Sequence, residues 1–212
     1  MTQILLNHVV SGTAKSTDLQ TGYIKTLAKG GASTTNTLSM YVDLTSGVKL
    51  NGVAKVTTAD VMASNGIIHV VDAVIGLPTI VTHATANPNF STLATLLTTQ
   101  NLISTLSSSA TPSPFTVFAP LNSAFDTATT SLYGGLTSTQ KTAVLTYHVI
   151  GRANVLSTGI PASSPTLETG ILRFSGATIT DEQARVTNIV LTDVQCSNGI
   201  IHAVNKVLLP TL

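Results

Sequence analysis

The chain contains the stretch Asn198-Gly-Ile-Ile-His-Ala-Val-Asn-Lys-Val-Leu-Leu-Pro210 and an earlier copy of it, Asn65-Gly-Ile-Ile-His-Val-Val-Asp-Ala-Val-Ile-Gly-Leu-Pro78. In each copy an Asn-Gly turn precedes a run of β-branched and apolar residues, which predicts a strand buried on both faces and ended by proline. His69 and His202 are 133 positions apart. Such a period is typical of whole domains and is much longer than a solenoid repeat. We therefore predict that one unit ends near Pro78 and the next near Pro210.

The composition describes a neutral chain with few charges. Hydrophobic residues make up 43% of the sequence and charged residues 9%, with a net charge of +1, whereas roughly a quarter of an ordinary soluble domain is charged. No cluster of Lys or Arg is present, so neither nucleic acid nor anionic lipid is predicted as a partner. The apolar run from Ile67 to Leu77 is too short for a membrane span and is interrupted by His69 and Asp72, so no membrane insertion is predicted. Residues Met1 to His8 lack the pattern of a secretory signal and do not establish export.

The duplication extends upstream of the repeated stretch. Ile4 to Gly12 aligns with Val144 to Arg152, which pairs His8 with His148 and leaves about seven extra residues in the first unit, placed between Thr13 and Thr37. Thr137-Ser-Thr-Gln140 has the spacing of a helical capping box. Short alternating runs follow in each unit and predict strands in a meander. Because helices precede strands within a unit, we predict the α+β class.

The second unit has further start and stop signals. Asn87 followed by Pro88 predicts a helix start. Phe115-Thr-Val-Phe-Ala-Pro120 predicts a strand that stops at proline, followed by a short helix capped by Asn122.

Three blocks of this unit together resemble the fasciclin (FAS1) domain family: Phe115-Thr-Val-Phe-Ala-Pro-Leu-Asn-Ser-Ala-Phe125, Tyr147-His148-Val149 and the stretch from Asn198 to Pro210. The resemblance implies an α+β fasciclin-like fold, a sandwich or wedge of short strands flanked by several helices. It covers residues 80–212 as a complete domain. Residues 1–79 match only the C-terminal half of another.

The first unit lacks a counterpart of the segment from Ile80 to about Lys141, including the strand Phe115 to Pro120. A half domain leaves apolar faces and strand edges unpaired. Two interpretations remain open: residues 1–79 are a fragment of a longer chain, or a neighbouring subunit completes them with a donated strand.

The sequence predicts neither an enzyme nor a metal or cofactor site. Its paired histidines lie in apolar runs without nearby Cys, Asp or Glu at ligand spacing, which favours buried, hydrogen-bonded structural histidines. Cys196 is the only cysteine and is expected in the core. No Gly-x-Ser-x-Gly elbow is present. The residues assigned to the structural motif are His8, His69, His202, Asn65 and Asn198.

The family resemblance implies non-enzymatic adhesion or protein interaction, in a secreted or cell-surface protein, with an extracellular or cell-surface protein partner or with itself. By the same resemblance, the candidate interaction residues are Tyr147 and His148, Asp193 and Val194, and Asp60 and Val61.

Two other functions stay open at this point. One is a structural assembly subunit completed by strand or domain exchange, and the other is binding of an apolar, carotenoid-like ligand in a groove. Asn89-Phe90-Ser91 fits a glycosylation sequon.

Overall fold

All 212 residues are described in this computed structural model, and they form two β-sheets accompanied by short helices. The mixture of helices with largely antiparallel sheets confirms the predicted α+β class.

The first sheet follows the short helix α1 (Thr2–Leu6) and has five strands in the order in which they occur in the sequence. Every neighbouring pair in it is antiparallel. The strands are β1 (Gly22–Gly30), β2 (Ser33–Asp43), β3 (Lys49–Leu50), β4 (Ala54–Ala63) and β5 (Gly66–Val71).

The second sheet has seven strands in the order β7-β6-β12-β11-β10-β9-β8. They are β6 (Phe115–Pro120), β7 (Val149–Gly151), β8 (Ser163–Pro165), β9 (Ile171–Ser175), β10 (Thr178–Thr180), β11 (Val186–Cys196) and β12 (Gly199–Val204). The helices of this part of the chain are α2 (Ile80–Ala86), α3 (Ser91–Thr99), α4 (Ile103–Ser107), α5 (Thr127–Gly135) and α6 (Ser138–Tyr147).

Local signals explain where the helices begin. Thr137 and Gln140 form the predicted capping box at the start of α6, which satisfies two backbone donors that a helix start leaves free. Asn87 accepts a hydrogen bond from the backbone of Asn89 ahead of α3, as its position before Pro88 predicts. The prediction for Asn122 is wrong: it does not cap its own short helix. Its side chain instead accepts from the Thr92 amide at 3.0 Å, because the start of α3 lies within its reach.

The two copies of the repeated stretch differ in burial. β12 pairs antiparallel with β11 and parallel with β6, and all six of its residues are buried. β5 is the last strand of its sheet, pairs only with β4 and has no buried residue. The prediction of a strand buried on both faces is therefore confirmed for Gly199–Val204 and wrong for Gly66–Val71. The physical reason is that neither β6 nor the helices α2 to α4, which cover β12, have a counterpart over β5.

The main core lies on both sides of β6 and β12. Helices α2 to α4 and the 3-10 turn before α3 cover one face, with Ile80, Phe90 and Leu97 in a cluster that includes Val117 and Ile201. The opposite face forms a second cluster whose members are Phe118, Tyr147, Ile150, Leu172, Ile179, Ile189, Val204 and Leu208.

The stretch predicted to hold the extra residues forms most of the hairpin of β1 and β2, which is longer than the corresponding hairpins of the second unit. This hairpin packs on the second unit. A Cβ atom on Gly30 would lie 2.4 Å from Cα of Ser197, so only glycine permits this close approach. The Ala32 amide donates to the Ser197 carbonyl at 2.9 Å, and the Gln195 amide donates to Oγ of Ser39 at 3.0 Å.

We expect Gly199→Ala and Gly66→Ala to have very different effects, although the two glycines occupy equivalent positions. A Cβ atom on Gly199 would lie 2.2 Å from the Phe115 carbonyl oxygen, whereas one on Gly66 meets nothing within 4 Å. Gly199→Ala should lower the free energy of unfolding by about 3 kcal/mol or more because backbone atoms must move. Gly66→Ala should change it by less than about 0.5 kcal/mol. Urea denaturation followed by circular dichroism measures both values, and equal effects would contradict the open edge of β5.

Candidate interaction site

Tyr147 is the last residue of α6 and is fully buried. Its hydroxyl donates to the Ile171 carbonyl at 3.1 Å and accepts from the Glu182 amide at 3.0 Å. Burial raises the pKa of Tyr147 to about 12, since the phenolate would lose its hydration. The side chain therefore joins α6 to β9 and to the loop after β10, and it presents no surface to a partner.

His148 follows Tyr147 and bridges two backbone segments. The Leu208 amide donates to its Nε2 at 2.9 Å, which assigns the proton to Nδ1, and Nδ1 donates to the Val144 carbonyl at 2.7 Å. Burial lowers the pKa of His148 to about 4, so the ring is neutral near pH 7. Its two nitrogens fasten the end of α6 to the segment after β12.

His202 forms a second bridge, together with Asp193. The Asp193 amide donates to Nδ1 of His202 at 3.4 Å, and Nε2 donates to the Val155 carbonyl at 2.9 Å. Asp193 has a φ of +61°, and its carboxylate accepts from both the amide and the hydroxyl of Ser157. These contacts fasten the loop after β7 to the bulge in β11.

The first unit repeats this arrangement bond for bond. His8 links the Ile4 carbonyl to the Ile75 amide, and His69 links the Ala14 carbonyl to the Asp60 amide. Asp60 has a φ of +59° and accepts from Ser16, which holds the pKa of its carboxyl below the usual range. Sequence reasoning missed the serine partners, although Ser16-Thr17 and Ser157-Thr158 are themselves repeated.

The two units differ in what covers these residues. His8 and Asn65 are exposed, whereas His148 and Asn198 are buried. Asn198 accepts from the Ile80 amide at 3.0 Å and donates to the Leu106 carbonyl at 2.7 Å. It thereby attaches helices α2 and α4 to the turn before β12. Asn65 has no such helices to contact.

The candidate interaction residues differ in burial between the two units. Tyr147, His148 and Val194 are buried in the second unit, so their side chains do not form a surface there. In the first unit Val61 is 41% exposed, and Asp60 is half-buried. The structure does not bring the Tyr147–His148 pair and the Asp193–Val194 pair together into one accessible patch. Asn89 is exposed in a 3-10 turn, and its glycosylation stays a prediction.

No set of three or more His, Cys, Asp or Glu side chains lies close enough to hold a metal ion. Cys196 is buried, and burial raises the pKa of its thiol. A thiolate nucleophile is therefore disfavoured at this position.

His83, in α2, lies at the contact between the two units. Its ring is fully buried, meets Tyr23 of β1 edge-on at 5.3 Å between ring centroids, and makes no hydrogen bond of ordinary geometry. Burial, assisted by the charge of Lys25, lowers the pKa of His83 to about 3. A neutral His83 therefore belongs to the packed contact between the units.

The sequence did not predict an open cavity in the first unit, and the structure contains one. It has a volume of about 440 Å³ and is lined mostly by aliphatic side chains from the sheet and from the segment between α1 and β1. His8 and His69 lie in its wall. The corresponding histidines of the second unit are buried in a filled core.

Comparison with known proteins gives the family. The Fasciclin domain model matches residues 1–78 and 88–210. The chain belongs to the fasciclin family. A solved structure of a FAS1 domain pair from the insect cell adhesion molecule Fasciclin I superposes with a TM-score of 0.57 at 20% identity, covering 98% of this chain and 79% of that one. This likeness confirms the predicted fasciclin-like fold.

Two relatives align with this fasciclin chain over part of its length. The protein sll1735 of Synechocystis sp. is 34% identical over 139 residues, which are 63% of this chain and 98% of that protein. The cell surface glycolipoprotein MPB83 of Mycobacterium bovis is 32% identical over 139 residues, which are 62% of this chain and 60% of that protein.

We expect the stability of this fasciclin chain to fall as the pH drops below about 6.5. The folded-state pKa values of His83 and His148 lie below the ordinary value of 6.5, so the unfolded chain binds their protons first. Their stabilising contribution is complete above pH 6.5 and is lost progressively as the pH falls towards about 4 for His148 and about 3 for His83. Each should add a slope of up to about 1.4 kcal/mol per pH unit.

Urea denaturation at pH 7.5, 6.5, 5.5 and 5.0 measures this slope, in a range above the titration of most carboxyl groups. Leucine is similar in volume to histidine, and His83→Leu removes no hydrogen bond. This variant should therefore reduce the dependence of the free energy of unfolding on pH without destabilising the chain at pH 7.5. A free energy of unfolding that is constant across this range would contradict the neutral, buried histidines.

Proposed function

We propose that this chain is a non-enzymatic protein-interaction module of a secreted or cell-surface protein and that it acts in adhesion. The observation on which this proposal rests is an exposed apolar face on the hairpin of β4 and β5 in the first unit. Exposed apolar patches on soluble domains commonly mark interaction sites. The face includes Val61 and lies beside Asp60, which together form one of the motif pairs assigned by family resemblance. Its exposed members are Val61, Ile68 and Val70.

Cross-strand pairing holds part of this face together. Val61 lies opposite Ile68 in the antiparallel register of β4 and β5, and Val70 follows Ile68 on the same face. In the second unit the corresponding residues Val194 and Ile201 are buried under helices α2 to α4. The same apolar chemistry is thus core in one unit and surface in the other, which suits the first unit for contact with another protein.

The use of the histidines supports a non-enzymatic role. Both ring nitrogens of His148 and of His202 make hydrogen bonds to backbone groups. A general acid or base needs a ring nitrogen within reach of a substrate. The bridging histidines have none free, so we assign them a structural role.

The relatives support a surface location and a protein partner. MPB83 is a cell surface glycolipoprotein, and the insect Fasciclin I is a cell adhesion molecule. No helix of this structure is long and apolar enough to cross a membrane. We propose an extracellular or cell-surface protein as partner, with self-association as one form of that contact, and no cofactor.

We expect Val61→Asp to weaken cell attachment by roughly fivefold or more, because a carboxylate would be desolvated in an apolar contact. The assay measures how many cells of the organism that makes this protein attach to a surface coated with the chain. The matched control is Val190→Asp on β11, where the valine is 52% exposed and outside the proposed face. Both variants should keep their melting temperatures, since both side chains are on the surface. Equal loss of attachment in the two variants would contradict the proposed face.

Tyr147→Phe distinguishes a structural tyrosine from a contact residue. Loss of the two hydroxyl hydrogen bonds should lower the free energy of unfolding by about 1–2 kcal/mol and leave attachment of the folded chain unchanged. A variant with normal stability and lost attachment would instead place the contact at Tyr147.

A further inference from the structure

The contact between the two units depends on a few side chains of β1 and β2. Besides the two amide hydrogen bonds described above, the Lys25 ammonium group donates to the Asp193 carbonyl at 2.8 Å. The Asn87 side chain donates to the Tyr23 hydroxyl at 3.2 Å. No strand of one sheet pairs with a strand of the other. Separate polar contacts therefore hold the units in their relative orientation, and these can be lost together without breaking either sheet.

His83 faces this contact from α2 without a hydrogen-bond partner. Its ring is fully buried and lies edge-on to Tyr23, and neither of its nitrogens makes a hydrogen bond of ordinary geometry. Burying a polar group without a partner costs free energy, so such a group in a folded protein requires an explanation. The cost is far larger for a protonated ring, because a buried charge also needs a partner.

The surroundings of His83 offer no partner for a positive charge. The ionisable side chains that β1, β2 and β11 bring to this contact are Tyr23 and Lys25, Tyr41, and Asp193 and Cys196. The only carboxylate among them, that of Asp193, already accepts from the amide and the hydroxyl of Ser157. Helices α3 and α4 have no ionisable side chain, and His202 of β12 lies on the opposite face of the sheet, stacked on a phenylalanine ring. A protonated His83 would therefore be a buried cation near the Lys25 ammonium group, with no acceptor.

We propose that His83 makes the contact between the two units a pH-sensitive joint, which is docked in one orientation at neutral pH and is released in mild acid before the second unit unfolds. In the docked state the ring is neutral and buried beside Tyr23. In the released state water reaches the ring, which takes up a proton and can no longer redock without losing it. Acid thereby converts a fixed pair of units into two units joined by residues 72–79.

The direction of the pH effect follows from the two states of the ring. Burial keeps the pKa of His83 at about 3 in the docked state, whereas a ring exposed to water has an ordinary pKa of about 6.5. The proton therefore binds the released state first. Docking is at full strength above pH 6.5, and the ratio of docked to released molecules falls by up to about tenfold for each pH unit below it, until His83 titrates in the docked state as well.

Amide hydrogen exchange measured by NMR on the 212-residue chain tests this joint. The Ala32 and Gln195 amides donate across the contact, so release exposes both of them. The Phe118 amide donates to the His148 carbonyl inside the second unit and reports the unfolding of that unit. Protection factors, which correct for the pH dependence of intrinsic exchange, are measured between pH 7.5 and 5.0.

The wild-type chain should show release as a separate event from unfolding. The protection factors of Ala32 and Gln195 should be similar, should be smaller than that of Phe118 at every pH, and should fall by about thirtyfold between pH 7.5 and 5.0. His83→Leu should abolish this fall at Ala32 and Gln195. Phe118 should still lose protection in that variant, because His148 still takes up a proton on unfolding.

Tyr23→Phe is the matched control at the same contact. It removes the hydrogen bond from Asn87 and keeps His83. The protection factors of Ala32 and Gln195 should be about twofold to tenfold smaller at every pH, with the pH dependence of the wild-type chain. Circular dichroism checks that both variants fold, and the wild-type and Tyr23→Phe profiles still test the joint if His83→Leu does not fold.

Three results would overturn the proposal. Equal protection of Ala32, Gln195 and Phe118 at every pH would mean that the contact opens only when the second unit unfolds. Constant protection of Ala32 and Gln195 between pH 7.5 and 5.0 would mean that release takes up no proton. An unchanged pH dependence in folded His83→Leu would assign the effect to another group. None of these outcomes depends on the attachment assay for Val61, so this proposal and the adhesion proposal can fail separately.

Discussion

The parallel contact between β6 and β12 is the interaction on which the second unit depends. Six residue pairs join the two strands, from Phe115 with Gly199 to Pro120 with Val204. This pairing makes β12 a central strand and creates the two faces on which the core clusters form. It also positions Asn198 to hold α2 and α4 against the sheet. Burial of the whole strand, rather than any one of its side chains, makes the repeated stretch the centre of this unit.

The same sequence without a covering strand forms a different surface. In the first unit the hairpin of β4 and β5 keeps its register and its bulge, yet its apolar residues face an open edge, an exposed face and a cavity. The bridges of His8 and His69 still form because all their partners lie within the unit itself. The local hydrogen bonds are therefore the same in both units, whereas the burial differs. Contacts of β1 and β2 with Ser197 and Gln195 attach the first unit to the second.

The elements with strong local signals were predicted from the sequence. The alternating strands of the meander, the capping box at Thr137 and the strand ending at Pro120 follow from alternation, capping and proline chemistry, whereas β1, β7 and β8 were not predicted. Asn122 was misassigned because its side-chain oxygen could accept either from its own short helix or from a distant amide. Only the position of α3, which brings the Thr92 amide within reach, decides which hydrogen bond forms. The position of the open cavity was not predicted, because its lining residues come from segments spread between His8 and Ile75 that only the fold brings together.

By itself the sequence determined the family, the repeat and the identity of the paired residues, because these depend on composition and spacing along the chain. Tertiary structure alone decided which member of each pair is accessible. Val61 and Val194 occupy equivalent positions, and one is 41% exposed while the other is 1% exposed. The difference arises from helices and a strand more than 50 residues away in sequence from the second hairpin, which cover it and have no counterpart over the first. Burial is a property of what surrounds a residue, so the same sequence forms core in one unit and surface in the other.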